Sequence, residues 1–426
     1  MKILIRNGRV IDPESGLDAV CDICIAAGRI QAVGDVPADF HPNQEIDASG
    51  LVVCPGLVDL SVRLREPGFE YMATLESEMR AAAAGGVTSL ACPPDTDPPL
   101  DEPGLVEMLK FRTRNSPGPR VYPVGALTWK LKGERLTEMA ELNEAGCVAF
   151  SQADAPLVDT RVLLRALEYA VTFDLPVWLR PQDPHLARDA VAHDGIVAAR
   201  LGLPAIPVPA ETVALQTILL LARETGARVH LARISSRAGL DMIRRAKHDG
   251  LRITCDVAVH HVHLSEMDVV DFNPNCHLVP PLRSIRDREA IRQALREGLV
   301  DAICSDHTPV NDDAKERPFQ EAEPGATGVE LLLPLTLKWA REMQVPLLQA
   351  IDLITRRPAR ILGVQAGVLA VGQPADVCIF DPERPWTVNR QTLLSLGKNS
   401  PYLGMELQGQ VIYTLVDGHV DFKRNH

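Results

Sequence analysis

No apolar run in the sequence approaches the ~18 residues that a membrane span requires. The chain opens at Met1-Lys2-Ile3-Leu4-Ile5 on a strand pattern rather than a leader, so neither a membrane nor a secreted protein is expected. Dense basic runs are also missing. Lys and Arg number 44 against 56 Asp and Glu, a net charge of −12, and that balance argues against a nucleic-acid surface. The glycine signatures that cradle phosphates, GxxxxGK(S/T) and GxGxxG, are absent, and Ala84-Gly85-Gly86 reads as a helix end with glycine at its stop. Ser61 has no histidine and acid with matching local signals, so a nucleophilic triad is unsupported. The nine cysteines (21, 24, 54, 92, 147, 255, 276, 304, 378) lack paired spacing. Cys21 and Cys24 form one CxxC, but no second pair answers it at zinc-finger distance. The cysteines read instead as buried free thiols in a reducing compartment.

What is present is an ordinary globular composition over 426 residues, with 46% hydrophobic and 23% charged residues, which excludes disorder, collagen and coiled coil. Both chain ends carry short strands and turns with little helix. At the start these are Lys2 to Val10, Cys21 to Ala27, Ile30 to Val33 and Leu51 to Cys54. At the end they are Gly367 to Val371, Asp376 to Asp381 and Val411 to Phe422. Between them, apolar runs alternate with helical periodicity. The strand candidates are Leu57–Val62, Val87–Cys92, Arg120–Gly125, Cys147–Ser151, Pro176–Leu179, Arg228–Ala232, Arg252–Val257 and Asp301–Ser305. Helical spacing marks Leu75–Ala84, Glu211–Thr225, Ala238–His248, Arg286–Glu297 and Val329–Ala340. Eight strands each followed by helix predict an α/β fold, a (β/α)8 TIM-like barrel, for which roughly 250 residues is typical. The expected division is a barrel over 56–364 and a composite β-sandwich domain from 1–55 and 365–426.

In such a barrel the C-terminal strand ends converge on the face where chemistry is done. Here they read Asp59 to Arg65, Ser151 to Asp154, Leu179 to Asp183, His230 to Arg233 and Ser305 to Val310. That set is rich in arginine and poor in metal ligands.

Several signatures, in this order and spacing, resemble the class I dihydroorotases of the amidohydrolase superfamily over essentially the whole chain. They are Pro55-Gly56-Leu57-Val58-Asp59, Leu64-Arg65-Glu66-Pro67-Gly68, Ala84-Gly85-Gly86-Val87-Thr88, Pro280-Pro281-Leu282-Arg283, Ser305-Asp306-His307-Thr308-Pro309 and Gly372-Gln373-Pro374-Ala375-Asp376. The resemblance implies a distorted barrel carrying two metals, a small β-sandwich from both ends, and zinc-assisted interconversion of carbamoyl aspartate and dihydroorotate. It also implies where the ligands would lie. The His-x-His positions at the end of strand one hold Ser61 and Arg63. The bridging residue after strand four, an aspartate or a carboxylated lysine, falls on Gln152 or Ala153. The histidines of strands five and six fall on Arg180 and Arg233, and the strand-eight proton-shuttle aspartate alone is kept, as Asp306.

A guanidinium has no lone pair to give and does not deprotonate in proteins, and one aspartate is not a catalytic zinc site. The family zinc is therefore expected to be absent, with no catalytic residue beyond a vestigial Asp306. The implied substrate contacts have changed too. Arg65 stands where the family arginine grips a carboxylate, but its asparagine companion is Asp95, which opposes an anionic substrate. Val279 replaces the asparagine before Pro-Pro-Leu-Arg, and Val310 replaces a histidine. Arg63, Arg180 and Arg233 are expected to stand in for the metal charge by pairing with Asp306, Asp183 or Asp154. Asp95, Asp97 and Asp101 are expected in a solvated loop.

A competing metal site is conceivable at His260-His261-Val262-His263, where His261 and His263 share a face if the segment is extended, with His277 close in sequence. The weightier expectation is a set of histidines bonded within a loop beside the barrel mouth. His230 and His307 are expected to pack or to support neighbouring residues.

Within the family, the resemblance extends to the inactive dihydroorotase-like chain that accompanies aspartate carbamoyltransferase in some bacteria, the pseudomonads among them. It implies a cytoplasmic, non-catalytic subunit of pyrimidine biosynthesis, needed for assembly with the transferase's catalytic chain as six copies of each, with no nucleic-acid or membrane partner. One alternative is a cyclic amidohydrolase using Asp306 and the histidine run with unusual metal ligation. Another is a binding module whose arginine-lined pocket holds an anion such as carbamoyl aspartate.

Overall fold

The computed structural model describes residues 2–424. In the first strand, Lys2–Asp12, alternation buries Ile3 and Ile5 completely, and Val10 joins them. These residues pack with Ile23, Ile25, Ile30, Val53, Val377 and Leu415 in a core separate from the barrel's. Lys2–Asp12 pairs antiparallel with Leu17–Ala26, which continues to Arg29–Gly34. Its other edge pairs in parallel with Gln44–Asp47 and with Val52–Pro55. Val52–Pro55 then joins Val377–Thr387 antiparallel, with Cys54 opposite Cys378, and the sheet runs on through Glu406–Val416 and His419–Lys423. Both chain ends thus build one eight-stranded sheet.

Two details differ from the sequence reading. Gly367 to Val371 forms no strand, because Gly367 and Gly372 take φ of 73° and 83° and turn the chain at each end. Leu369 is instead held by an N–H donated to Asp12 Oδ1 at 3.2 Å. Gln44–Asp47, which carries a single buried side chain, is a strand that alternation could not reveal.

Eight parallel strands follow in sequential spatial order: Leu57–Asp59, Val87–Cys92, Arg120–Ala126, Ala149–Ser151, Val177–Leu179, Val229–Leu231, Ile253–Ala258 and Ala302–Cys304. Helices between them cover the outside, among them Leu75–Ala84, Pro209–Thr225, Arg237–His248, Ile285–Arg296 and Leu332–Glu342. Local chemistry fixes their starts. Thr74 and Ser77 form a capping box at Leu75–Ala84, and Ser284 with Asp287 does the same at Ile285–Arg296. The family-like glycines have steric reasons. A Cβ on Gly56 would lie 2.1 Å from Thr88 Oγ1, and Gly86 has φ of 86° with Cys378 Sγ 2.6 Å from where its Cβ would sit.

The barrel interior is filled mainly by small residues, Ala91, Ala149, Ala258 and Ala302, around Val58, Leu60 and Trp178. Strand one meets strand eight beyond their formal ends. Arg63 N–H donates to His307 O, and His307 N–H donates to Ser61 O, both at 3.0 Å. The barrel therefore closes at the level of the expected site.

Candidate functional site at the strand ends

Four residues at this mouth adopt left-handed backbone without being glycine: Arg65 (φ 62°), Ala153 (50°), Arg233 (55°) and Asp306 (48°). Such conformations persist where surrounding bonds over-determine them. Arg233 N–H donates to Asp256 Oδ1 at 2.6 Å, and Ala153 N–H donates to Ser151 Oγ at 3.0 Å. The loop carrying Arg233 is fixed further by Glu211, whose carboxylate accepts the N–H and hydroxyl of both Ser235 and Ser236 at 2.5–3.1 Å.

The three arginines expected at former ligand positions converge. Arg63 reaches Asp95 at 2.8 Å, Asp154 at 2.7 Å and Asp306 at 3.3 Å. Arg233 reaches Asp154 at 2.5 Å and Asp306 at 2.9 Å. Arg180 Nε donates to Asp154 Oδ1 at 2.5 Å, and its Nη1 donates to Gln182. Asp154 thus joins all three guanidiniums. Three guanidiniums face three carboxylates (Asp95, Asp154, Asp306), so the lattice is electrically neutral. Arg63, Arg233 and Asp306 are 6%, 5% and 7% exposed, which closes the centre to solvent.

Burial would raise Asp154, but Arg233, Arg180 and Arg63 hold its carboxyl well below the ordinary carboxylate range. For Asp306 burial prevails over Arg233 and Arg63, and its carboxyl lies above the ordinary range. Burial also pushes the neighbouring Asp59 up to about 6, although its Oδ1 accepts N–H groups from Ser61 at 3.2 Å and Ser305 at 3.0 Å.

The other predicted residues are placed as follows. Ser61 Oγ donates to Asp306 at 3.3 Å. Gln152 turns out of the lattice, accepting from Thr128 at 2.9 Å and donating to Leu131 O at 2.8 Å. Arg65 Nε donates to Pro309 O at 2.8 Å, and its guanidinium lies over Phe69. Val279 enters through its carbonyl, which accepts from Arg233 at 3.3 Å. Val310 is buried, with its N–H on Asn399.

Three expectations need correction. Asp183 pairs with none of the arginines, because its carboxylate accepts the N–H groups of His185 and Leu186, both at 2.9 Å, in its own turn. Asp95 and Asp101 are not solvated loop residues. Asp95 is an arginine partner, and Asp101 is buried and accepts Lys130 N–H at 2.7 Å. Finally, the histidine run is a short helix, Val259–His263, so the shared extended face does not exist. His260 stacks on Tyr402, His261 faces the carbonyls of Pro280 and Pro281 at 3.2 Å, and His263 faces Leu335 O at 2.8 Å. His277 Nδ1 lies 2.7 Å from Ala322 O. Burial lowers His260 to about 3 and His261, His263 and His277 to about 4, so these rings are neutral near pH 7.

His230 bridges Thr254 and Asp256 at 2.9 and 3.0 Å. His307 Nε2 lies 2.6 Å from Glu78, while its Nδ1 accepts N–H groups from Gly328 and Val329. Glu78 also accepts from Ser395 Oγ at 2.6 Å, tying the strand-eight end to a distant segment. No sequence signal pointed to Glu78, Glu211 or Asp256 in these roles.

The donor set does not fit the family's metal pair. Guanidiniums occupy ligand positions, and the remaining carboxylates are engaged by them. Among the described residues, no three His, Cys, Asp or Glu side chains form a metal-holding group.

An eight-stranded parallel barrel with a sheet from both termini, and with its polar residues at the strand ends, defines an amidohydrolase-type protein. The chain belongs to the amidohydrolase superfamily, in its dihydroorotase-like branch. The model of the family described as Dihydro-orotase-like matches residues 50–239, and that of the Amidohydrolase family matches 185–420. A Dihydroorotase-like protein of Pseudomonas aeruginosa is 47% identical over 420 residues, 99% of each chain. A Dihydroorotase of Syntrophotalea carbinolica is 42% identical over 423 residues, again 99% of each. Among solved structures, the L-hydantoinase (dihydropyrimidinase) of Arthrobacter aurescens superposes with a TM-score of 0.88 at 25% identity, covering 98% of this chain and 95% of that one.

Proposed function

We propose that this chain is a non-catalytic dihydroorotase-like subunit that supports assembly and activity of aspartate carbamoyltransferase in de novo pyrimidine biosynthesis. The observation that carries the non-catalytic reading is the neutral lattice of Arg63, Arg180 and Arg233 with Asp95, Asp154 and Asp306. Guanidiniums stand where the family's ligands would lie, and the carboxylates that remain are paired with them. Asp306 Oδ1 accepts from Ser61, Arg63 and Arg233, so the would-be proton shuttle is held by three donors. The assembly reading is supported by the family resemblance alone. On this reading the chain works in the cytoplasm, six copies beside six transferase catalytic chains.

The purified chain, with and without added zinc, is expected to form no dihydroorotate from carbamoyl aspartate and to hydrolyse none. Mixed with its cognate transferase, it is expected to elute from a sizing column as one larger species. Unchanged elution of both components would remove the assembly claim.

A second reading, a metal-dependent cyclic amidohydrolase of dihydroorotase type, is favoured by relatives that carry the name Dihydroorotase at 40–42% identity. Zinc-dependent turnover of dihydroorotate would establish it and retire the first.

A further inference from the structure

A second gathering of arginines lies at the other end of the barrel. We infer that the N-terminal mouth of the barrel is a binding site for a phosphorylated small molecule. A cavity of about 560 Å³ opens there among the starts of strands five to eight and the helix Arg356–Leu362. That volume suits a small-molecule site. Five arginines line it: Arg228, Arg252, Arg356, Arg357 and Arg360.

Their neutralisation is incomplete. Arg356 and Arg360 share Glu14, and Arg356 and Arg357 share Asp352. Arg228 and Arg252 stand side by side on neighbouring strands, since Val229 N–H donates to Arg252 O at 3.1 Å. Both share one carboxylate, Asp174, at 3.9 and 3.6 Å, and that carboxylate is 74% exposed. Asp301, also on the lining, is taken by Lys247 at 2.6 Å. Six cations therefore meet four carboxylates, an excess of two positive charges on a chain whose net charge is −12. Among the described residues the two terminal nitrogens of Arg357 have no hydrogen-bond partner, because Asp352 engages its Nε.

The interior supplies a reporter. Trp178 lines the cavity at 5% exposure, and its indole N–H has no partner among the described residues. Guanidinium groups bind phosphate oxygens bidentately, and arginines gathered without matching carboxylates suit a multiply charged anion. Arg228 Nη2 also donates to Asp174 O at 2.8 Å. The phosphate oxygens would lie on the arginine rim, and the body of the ligand against Pro176, Leu251 and Ile361 toward the indole.

Pyrophosphate and ATP, titrated separately into the full chain at low ionic strength, test the site by thermal shift and tryptophan fluorescence. At least one is expected to raise the melting temperature, and a larger shift with ATP than with pyrophosphate would show that the apolar lining contributes. The Arg228→Ser/Arg252→Ser double variant is expected to weaken binding by at least about tenfold, and Arg360→Ser to weaken it less. Arg244→Ser, at an exposed pair with Glu297 away from the cavity, is expected to leave binding unchanged. Trp178→Phe should abolish the fluorescence response. If neither anion shifts the melting temperature, or the shift survives in the double variant, the site does not exist.

Discussion

At the scale of single residues, Arg233 and Arg180 make the lattice measurable. Arg233 is buried and bridges Asp154 to Asp306, so Arg233→Ala takes a partner from two carboxylates at once, leaving Asp154 with Arg63 and Arg180 and Asp306 with Arg63, and is expected to cost about 3 kcal/mol. Arg180→Ala leaves Asp154 with Arg63 and Arg233, and is expected to cost about 1 kcal/mol. Unchanged melting temperatures in both variants would show that the lattice holds nothing together. The lattice also sets a pH dependence. Asp154 has a depressed folded-state pKa, so its contribution is complete above about pH 4, the unfolded value, and is lost on further acidification. Asp59 has the opposite sign. Its carboxyl is raised to about 6, so the folded chain holds a proton that the unfolded chain has released, and stability falls as pH rises from about 4 through 6. Asp59→Asn should flatten that fall, which amounts to about 3 kcal/mol at most; a denaturation series across pH would read it, and parallel profiles would refute it. The arginines were legible because each replaces a residue at a recognisable strand end. Their partners were less so: Asp154 could be named as a candidate, but so could Asp183, and the local turn that takes Asp183 out of the lattice is a backbone geometry no spacing encodes.

At the scale of elements, all eight barrel strands were visible in the sequence to within a few residues. Their runs are mostly apolar and are bounded by turn signals. The helical conformation of the histidine run was not legible because four residues are too few to show a period. Ala258 ends a strand, and the next five residues wind into helix, sending His260, His261 and His263 to different neighbours. The elements are joined by buried acids that periodicity treats as ordinary polar positions. Glu211 belongs to the helix Pro209–Thr225 yet accepts four hydrogen bonds from the loop that starts the next helix. Glu211→Ala leaves two backbone N–H groups and two hydroxyls without their acceptor. The expected loss is about 2–4 kcal/mol, read as a lower urea midpoint at unchanged slope. A midpoint equal to the parent's would mean that the loop holds its shape without this carboxylate.

At the scale of the whole molecule, the two chain ends depend on each other. Val52–Pro55 lies between the first strand and Val377–Thr387, so the N-terminal half of the sheet is completed only when the C-terminal segment is in place. Thr414 Oγ also donates to Ala83 O at 2.6 Å, fastening the terminal sheet to the first barrel helix. A chain ending at residue 374 would expose the Val52–Pro55 edge and remove Phe380, Leu407 and Val411 from the core. It is expected to aggregate on expression, and a soluble, folded product would show that the barrel stands without its terminal sheet. The resemblance suggested the joining of both ends; the register did not follow from it, because polar segments such as Gln44–Asp47 show no alternation. The lattice at the opposite mouth carries a consequence for anyone wishing to rebuild a hydrolase here. It behaves like an interlocked puzzle with no removable first piece. A histidine grafted at position 63 alone would leave Asp95, Asp154 and Asp306 crowded together, while Arg180 and Arg233 still repelled the incoming cation. The way back to metal chemistry therefore passes through a valley of unstable intermediates, unless all three arginines change in one step.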